Sequence, residues 1–318
     1  ADYPLVPEHL IIDNTMISET SRNIRQNRGC PAKFASKKLA PNLLPKERYV
    51  VHGKNLQFYL GQGIRLKKVH RAIRFRQSSW MKSYIDYNTQ KRQAATTEFK
   101  RSYHKLLNNA CFGKTIESVR KRKRVVLIKS GRQHLLLCSK PSFKRFSIFN
   151  ENLVGVELLQ SKIILDKPIY VGFSVLESSK LTMFRFHYQV MKHRYPNINL
   201  CFTDTDSFLY EIETHDLYAD LTNEKFAKNF DFSNYPPQHP LCSNSNKAVL
   251  GKYKDECEGK IIKEFIGLRS KLYSIDVKGS RKRKAAASGV KDYVVQRDLP
   301  HKKFKETLES CTDYHIIQ

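Results

Sequence analysis

Asp204 and Asp206 stand two residues apart in the stretch Leu200–Tyr210, L-C-F-T-D-T-D-S-F-L-Y. Two carboxylates held close together repel each other unless a cation or a basic ligand balances them. A hard divalent cation such as Mg²⁺ takes oxygen ligands and keeps room for substrate phosphates. A bare D-x-D is also what an exposed acidic turn looks like, so the rest of the chain has to decide between the two. A second group is Lys105, Asn109 and Phe112, spaced i, i+4 and i+7. On a helix these share one face. A cation, an amide and a ring aligned in this way can hold a nucleotide, with Lys105 on phosphate and Phe112 against a base or sugar. The plain alternative is a solvated lysine beside two ordinary interface residues.

The elements that must position these groups are legible in outline. Ile198, Leu200 and Phe202 alternate before the aspartates, and Phe208, Tyr210 and Ile212 alternate after them. Period-2 alternation on both sides of a short polar break predicts a β-hairpin with the carboxylates at its tip. Ser79–Cys111 holds neither Pro nor Gly, and Phe99, Tyr103, Leu106/Leu107 and Ala110 recur at steps of three or four. That predicts one long helix, or two with a break near Asn88–Gln93, ending at Gly113 and turning an apolar stripe to a core. Ile64–Phe75 is expected as a strand, and Val119–Ile128 as a cation run feeding a strand. Residues 129–168 are expected as short strands and turns. Ile169–Lys192 is expected to begin as a strand and continue as a helix stopped by Pro196. Residues 213–250 form a connector, and Ile261–Ile275 two strand-like halves around Gly267. A basic loop, Gly279–Lys284, and a closing helix complete the chain.

Composition narrows the partners. Lys+Arg number 57 against 30 Asp+Glu, a net charge of +27, which points to a polyanion. With 18 Phe and 16 Tyr the chain is richer in aromatics than a generic basic protein such as a ribosomal one. No apolar run is long enough to span a membrane, so no membrane partner is expected. The seven cysteines are scattered, with no C-x-x-C, which predicts neither a zinc site nor a disulfide framework and implies an intracellular, reducing compartment. Arg120–Arg124 and Arg281–Lys284 fit nuclear import, and they fit DNA contact equally well.

Three motifs then resemble one family. T-D-T-D-S after Phe202 resembles the Y-x-D-T-D-S signature of family B DNA polymerases. Lys105–Gly113, K-L-L-N-N-A-C-F-G, resembles that family's K-x-x-x-N-S-x-Y-G fingers motif, with Ala110 for Ser and Phe112 for Tyr. Lys271–Tyr273, K-L-Y, resembles its K-x-Y motif, and the three occur in the family's order. Longer stretches, such as N-N-A-C-F-G-K-T-I-E-S-V-R and I-I-K-E-F-I-G-L-R-S-K-L-Y-S, resemble the protein-primed branch found in viruses and self-synthesising DNA transposons.

The resemblance implies an α+β right-hand polymerase: a partial palm with an antiparallel sheet, helical fingers and a small thumb. Residues 1–78 would be a palm-proximal or insertion segment, 79–123 the fingers and 124–168 a strand-displacement insertion. Residues 169–255 would be palm and 256–318 thumb. The implied reaction is dNTP addition to a DNA primer at two Mg²⁺ ions, which clamp the attacking oxygen and the leaving pyrophosphate. Asp206 would be the direct metal ligand, with Asp204 beside it shaping the charge. Lys105 would meet the triphosphate, and Asn109 and Phe112 would line the base-pair pocket. Lys271 and Tyr273 would touch the primer, and Lys91 and Arg92 are weaker candidates for phosphate contact. Implied partners are primer-template DNA, dNTP and a terminal protein primer.

One part of the pattern is not seen. The family's first catalytic carboxylate lies in a D-x-x-S-L-Y-P-like motif, and neither Asp2 nor Asp13 matches it. The proofreading exonuclease is not seen either. The expectation is a C-terminal portion that does not polymerise alone. Two other readings stay open: a non-catalytic nucleic-acid-binding relic of a transposon polymerase, and a structural RNA-binding protein.

Overall fold

In chain order the elements begin with β1 (Pro7–Asp13), β2 (Ala35–Pro41), α1 (Gly53–Gly61), α2 (Lys82–Gln93) and α3 (Glu98–Gly113). Then come β3 (Arg124–Ile128), α4 (Gly131–Cys138), β4 (Phe143–Asn150), β5 (Leu153–Leu158) and α5 (Ile169–Arg185). Next are a π-helical turn, Phe186–Met191, then β6 (Asn199–Asp204), β7 (Ser207–Glu211), α6 (Leu217–Leu221), α7 (Glu224–Ala227), β8 (Phe230–Asp231) and β9 (Tyr253–Lys254). The last are β10 (Ile262–Arg269), β11 (Leu272–Val277), β12 (Lys284–Ala287), α8 (Asp292–Asp298) and α9 (His301–Ser310). This is a computed structural model. It describes residues 45–310 except 161, 270 and 280–283, and before them 7–13, 15, 22–23, 26–27, 29 and 35–41. Asp2 and most of the Arg281–Lys284 run lie outside the described residues. The chain is mixed α+β, with small and mainly antiparallel sheets. No helix among the described residues is long and apolar enough to cross a membrane. The chain divides into two units, residues 1–72 with 178–318, and residues 73–177.

In the 73–177 unit, α2 and α3 form a helical hairpin. The break falls at Ala94–Thr97, later than Asn88–Gln93, because Thr97 starts a new helix: its Oγ1 accepts the Lys100 N–H at 3.3 Å. Polar contacts join the pair. The His104 ring meets the buried Asn88 Oδ1 at 3.0 Å, and Asn108 Nδ2 donates to Thr89 Oγ1 at 3.3 Å. The apolar stripe is therefore not packed on a core: Phe99 is 79% exposed, and Tyr103 and Leu106 are exposed too. Periodicity shows that a face is apolar, not what covers it. Gly113 ends α3 with φ −59°, in helical rather than left-handed backbone, and a 3₁₀ turn, Lys114–Ile116, carries on.

The sheet β3-β5-β4 buries Ile128, Val156 and Leu158, with Phe143 and Leu137 of α4 packed against them. Helix α4 stands where only strands and turns were expected. Lys144 and Arg145 bond Glu157 at 2.8 and 2.7 Å and hold its carboxyl down at about 2. Ile169–Leu176 is helix, not strand. Its β-branched composition is overridden by packing, for Gly172 of α5 lies so close to the 3₁₀ turn that a Cβ there would stand 2.2 Å from Ile116 Cγ2 and 2.7 Å from Thr115 Oγ1.

In the other unit, β1 and β2 pair antiparallel from Pro7↔Pro41 to Asp13↔Ala35. Asp13 Oδ1 accepts from the Thr15 N–H at 2.8 Å and its hydroxyl at 2.6 Å, a local turn bond. Helix α1 starts after His52, whose side chain accepts the Lys54 N–H. Its Phe58 and Tyr59 pack with Leu181 and Phe184 of α5 in one cluster. Ile64–Phe75 is not a strand. It has no regular structure and all its residues are exposed, half of them Lys, Arg or His. After the π-helical turn, a second cluster gathers Phe186, Met191, Tyr195, Ile198, Leu221, Phe226, Tyr235 and Leu241. So the segment 213–250 is more than a connector, because Leu221, Phe226 and Tyr235 build this core.

Candidate active site

The hairpin β6–β7 carries Asp204 and Asp206 as expected from the alternation, with Asp204 paired to Ser207 across a two-residue loop. A bulge at Cys201 shifts the register between Leu200 and Phe202. One face of the hairpin packs on the π-helical turn. Phe208 stacks on Phe186 at 6.2 Å, and the Tyr210 hydroxyl meets buried His187 Nδ1 at 3.0 Å. The opposite face packs on the β10–β11–β12 sheet, with Phe202 4.6 Å from the Tyr273 ring and 5.9 Å from the Phe265 ring. The carboxylates thus sit at the end of a ribbon fixed on both sides by aromatic contacts.

The tip itself is strained. Thr205, between the two aspartates, has φ 55°, an outlier for a β-branched residue. The Asp206 N–H donates to the Asp204 carbonyl at 2.6 Å, closing a three-residue turn around Thr205. The Thr205 hydroxyl bonds Asp204 Oδ1 at 3.2 Å, and the Ser207 hydroxyl bonds the Asp204 carbonyl at 3.2 Å. Such strain persists only where the surroundings over-determine it, and the two packed faces do so here.

The K-x-Y segment comes to this tip. Lys271 Nζ lies 3.7 Å from Asp204 Oδ2. Burial, and then the Asp204 charge, pushes the Tyr273 phenol up. The strands do not part at Gly267, which pairs with Tyr273 mid-strand, since β10 runs on to Arg269 paired with Leu272. Lys271 takes the left-handed conformation there, with φ 56°. Gly267 instead makes room for a ring, since a Cβ would stand 2.9 Å from Phe265 Cζ.

The sequence did not reveal what holds this sheet. His301 of α9 bridges two strands, its Nδ1 2.9 Å from Ser274 Oγ on β11 and its Nε2 3.0 Å from Glu264 Oε2 on β10. Ser, His and Glu in that order resemble a nucleophile with its base. Yet Ser274 is fully buried, so no substrate reaches it, and the contact is a clasp. Lys305 and then His301 hold the Glu264 carboxyl below its usual range. The signal available in sequence was weak: a lone His after Pro300.

Lys105, Asn109 and Phe112 share one face of α3, as the spacing predicts, with Lys105 and Asn109 exposed and Phe112 half-buried. They belong to the 73–177 unit, whereas Asp204, Asp206, Lys271 and Tyr273 belong to the other. A cleft of about 320 Å³ lined by Lys54, Gln57, Phe58, Gly61, Gln62, Arg185 and Gln189 contains none of these residues.

The fit of the donor set to Mg²⁺ is partial. Asp206 is exposed at the tip, with no cation paired to it among the described residues, which suits a metal ligand. Asp204 is engaged by Lys271. No third His, Cys, Asp or Glu joins them among the described residues. The pair supplies anchoring oxygens for a cation whose remaining ligands would be water or phosphate. Comparison with protein-family models, with curated proteins and with solved structures gives no match in any of the three.

Proposed function

We propose that the chain is the fingers, partial palm and thumb portion of a DNA-directed DNA polymerase of family B, and that the complete enzyme, not this portion alone, adds dNTP to a DNA primer by metal-assisted nucleotidyl transfer. The observation that carries this reading is the approach of the K-L-Y turn to the T-D-T-D-S tip, with Lys271 on Asp204 and Tyr273 on Phe202. In a polymerase the primer terminus has to lie where metal-binding carboxylates and a primer-gripping cation meet.

In this proposal Asp206 holds Mg²⁺ and Asp204 tunes its charge. Mg²⁺ held there would supply Lewis-acid polarisation of phosphate and charge for a leaving pyrophosphate. Lys271 grips the primer phosphate as a point charge that also holds Asp204 in place. Tyr273 supports the tip through Phe202. Lys105 meets the triphosphate, and Asn109 and Phe112 line the nascent base pair. Phe112 keeps a ring against the sugar without offering it a hydroxyl. The charge of +27 holds the duplex backbone without reading its sequence.

The test is binding of a 3′-recessed DNA duplex, with and without Mg²⁺ and the templated dNTP. Expected is tightening by the matched dNTP only when Mg²⁺ is present, abolished by Asp206→Asn and weakened by Lys105→Ala. Binding indifferent to Mg²⁺, to dNTP identity and to Asp206→Asn would overturn the reading. It would support the second one, a non-catalytic nucleic-acid-binding protein. That alternative is favoured by one observation, the two-carboxylate donor set with Asp204 already paired.

A further inference from the structure

We propose that the outer face of α2, with Trp80 just before it, is a stacking platform for single-stranded nucleic acid. This extends the polymerase reading without depending on it, because it uses neither the carboxylates nor a metal. Tyr84, Tyr87 and Lys91 are spaced at steps of three and four residues within α2, which puts them along one helix face, and Trp80 stands four residues before Tyr84, just ahead of the helix. Trp80 is the chain's single tryptophan and is 67% exposed, and Tyr84 and Tyr87 are exposed as well. Lys91 Nζ stands over the Tyr87 ring, 5.5 Å from its centroid. Tyr84 and Tyr87 are about 4.5 Å apart in rise, close enough for neighbouring bases of an unstacked strand to use neighbouring rings.

The charge around the rings selects the occupant. Among the described residues, Lys91 and Arg92 in the last turn of α2, and Arg74 and Arg76 in the exposed segment that precedes Trp80 in sequence, have no ion pair with a carboxylate. The carboxylates of α2 and the start of α3 are both taken, Asp86 by Lys82 and Glu98 by Arg101 at 3.7 Å. A face that carries two tyrosine rings and Lys91, with Ile85 as the only aliphatic residue of α2, is poor in the branched side chains of a protein-binding groove. It matches bases that stack and phosphates that pair. The face of α2 that meets α3 is a different one, carrying Asn88 and Thr89. A duplex presents no base faces, so it would gain only the phosphate contacts.

Trp80 reports directly on this. The experiment titrates the whole chain with oligo(dT), with an abasic oligomer of equal length and with a blunt duplex, monitoring tryptophan fluorescence. EDTA is present throughout, so that failure of this proposal and failure of the metal-dependent reading are separable. Expected is quenching by oligo(dT), with the abasic strand binding about tenfold or more weaker. Tyr84→Ala and Tyr87→Ala should each weaken oligo(dT) about tenfold and leave the abasic strand unaffected. Lys91→Gln should lower the salt slope by about one. These positions are exposed, so the variants should fold, and circular dichroism checks that. Equal affinity for oligo(dT) and the abasic strand, or tyrosine variants indistinguishable from wild type, would overturn the proposal.

Discussion

Lys271 and Asp204 sit on the tips of two different hairpins and meet at 3.7 Å. Both tips are turned by a non-glycine residue at positive φ, Lys271 itself on one and Thr205 on the other. The pair is largely exposed, so it contributes only about 0–1 kcal/mol to stability. Its consequence lies in what it does to the Asp204 carboxylate, which it occupies. Lys271→Met should therefore move Tm by no more than about 2–4 °C. The same variant should tighten Mg²⁺ binding, because Asp204 is released, and loosen DNA binding. Titration calorimetry with Mg²⁺ and anisotropy with a primed duplex read the two opposite signs. An unchanged Mg²⁺ affinity would mean that Lys271 does not compete for Asp204.

Thr205 gives a prediction of unusual sign. Glycine at a position of φ 55° relieves backbone strain of about 1–3 kcal/mol, offset by the greater freedom glycine has in the unfolded chain. Thr205→Gly should leave the fold unchanged or stabilise it by about 1 kcal/mol, and should loosen the spacing of the two carboxylates. Calorimetric unfolding shows the first effect, and weaker Mg²⁺ binding the second. A clear loss of stability would show that the Thr205 hydroxyl bond outweighs the strain.

His187 sets an acid limit. Burial behind Tyr210 holds its imidazole below the usual value of 6.5, so the folded chain binds fewer protons there than the unfolded one. Stability from this residue is full above about pH 6.5 and falls as pH drops below it. Glu264 and Asp220, held low by their cation and hydroxyl partners, titrate below this window. Urea midpoints at pH 7.5 and 5.5 should therefore differ in wild type, and differ less in His187→Gln. Equal differences in the two proteins would remove His187 from the account.

Gly172→Ala should destabilise the 73–177 unit by about 1–3 kcal/mol, the usual cost of overpacking. The added Cβ would press on Ile116, Thr115 and the Phe112 carbonyl. Because that carbonyl is the backbone of Phe112, whose ring is on the candidate nucleotide face, dNTP binding should weaken along with thermal stability. A variant as stable as wild type would show that the turn after α3 yields easily.

The aspartate hairpin was legible because its alternation is local and both its faces pack against aromatic side chains. The shared face of Lys105, Asn109 and Phe112 was legible because helical spacing fixes it. The rest depended on contacts between distant segments. Gly267 drew the expected turn to itself, while Lys271 took the left-handed conformation that residue preference gives to glycine. The stripe from Phe99 to Leu106 was real as a pattern but not as a buried surface. The I-Y-V-G-F-S-V-L run favours strand by composition, and only the close fit of Gly172 against Thr115 and Ile116 explains its helix. The His301 clasp joins residues whose identities say nothing of one another until β10, β11 and α9 are folded.

The π-helical turn at Phe186–Met191 has a consequence for how the chain melts. Its wider loop rotates the next part of the helix by about one residue, roughly 100°. One continuous helix gives Leu181 and Phe184 to the α1 cluster, and Phe186 and Met191 to the cluster behind the hairpin. Neither cluster can come apart without unwinding backbone that the other needs. The two cores should lose their structure in a single cooperative step, with the carboxylate tip surviving as long as both do.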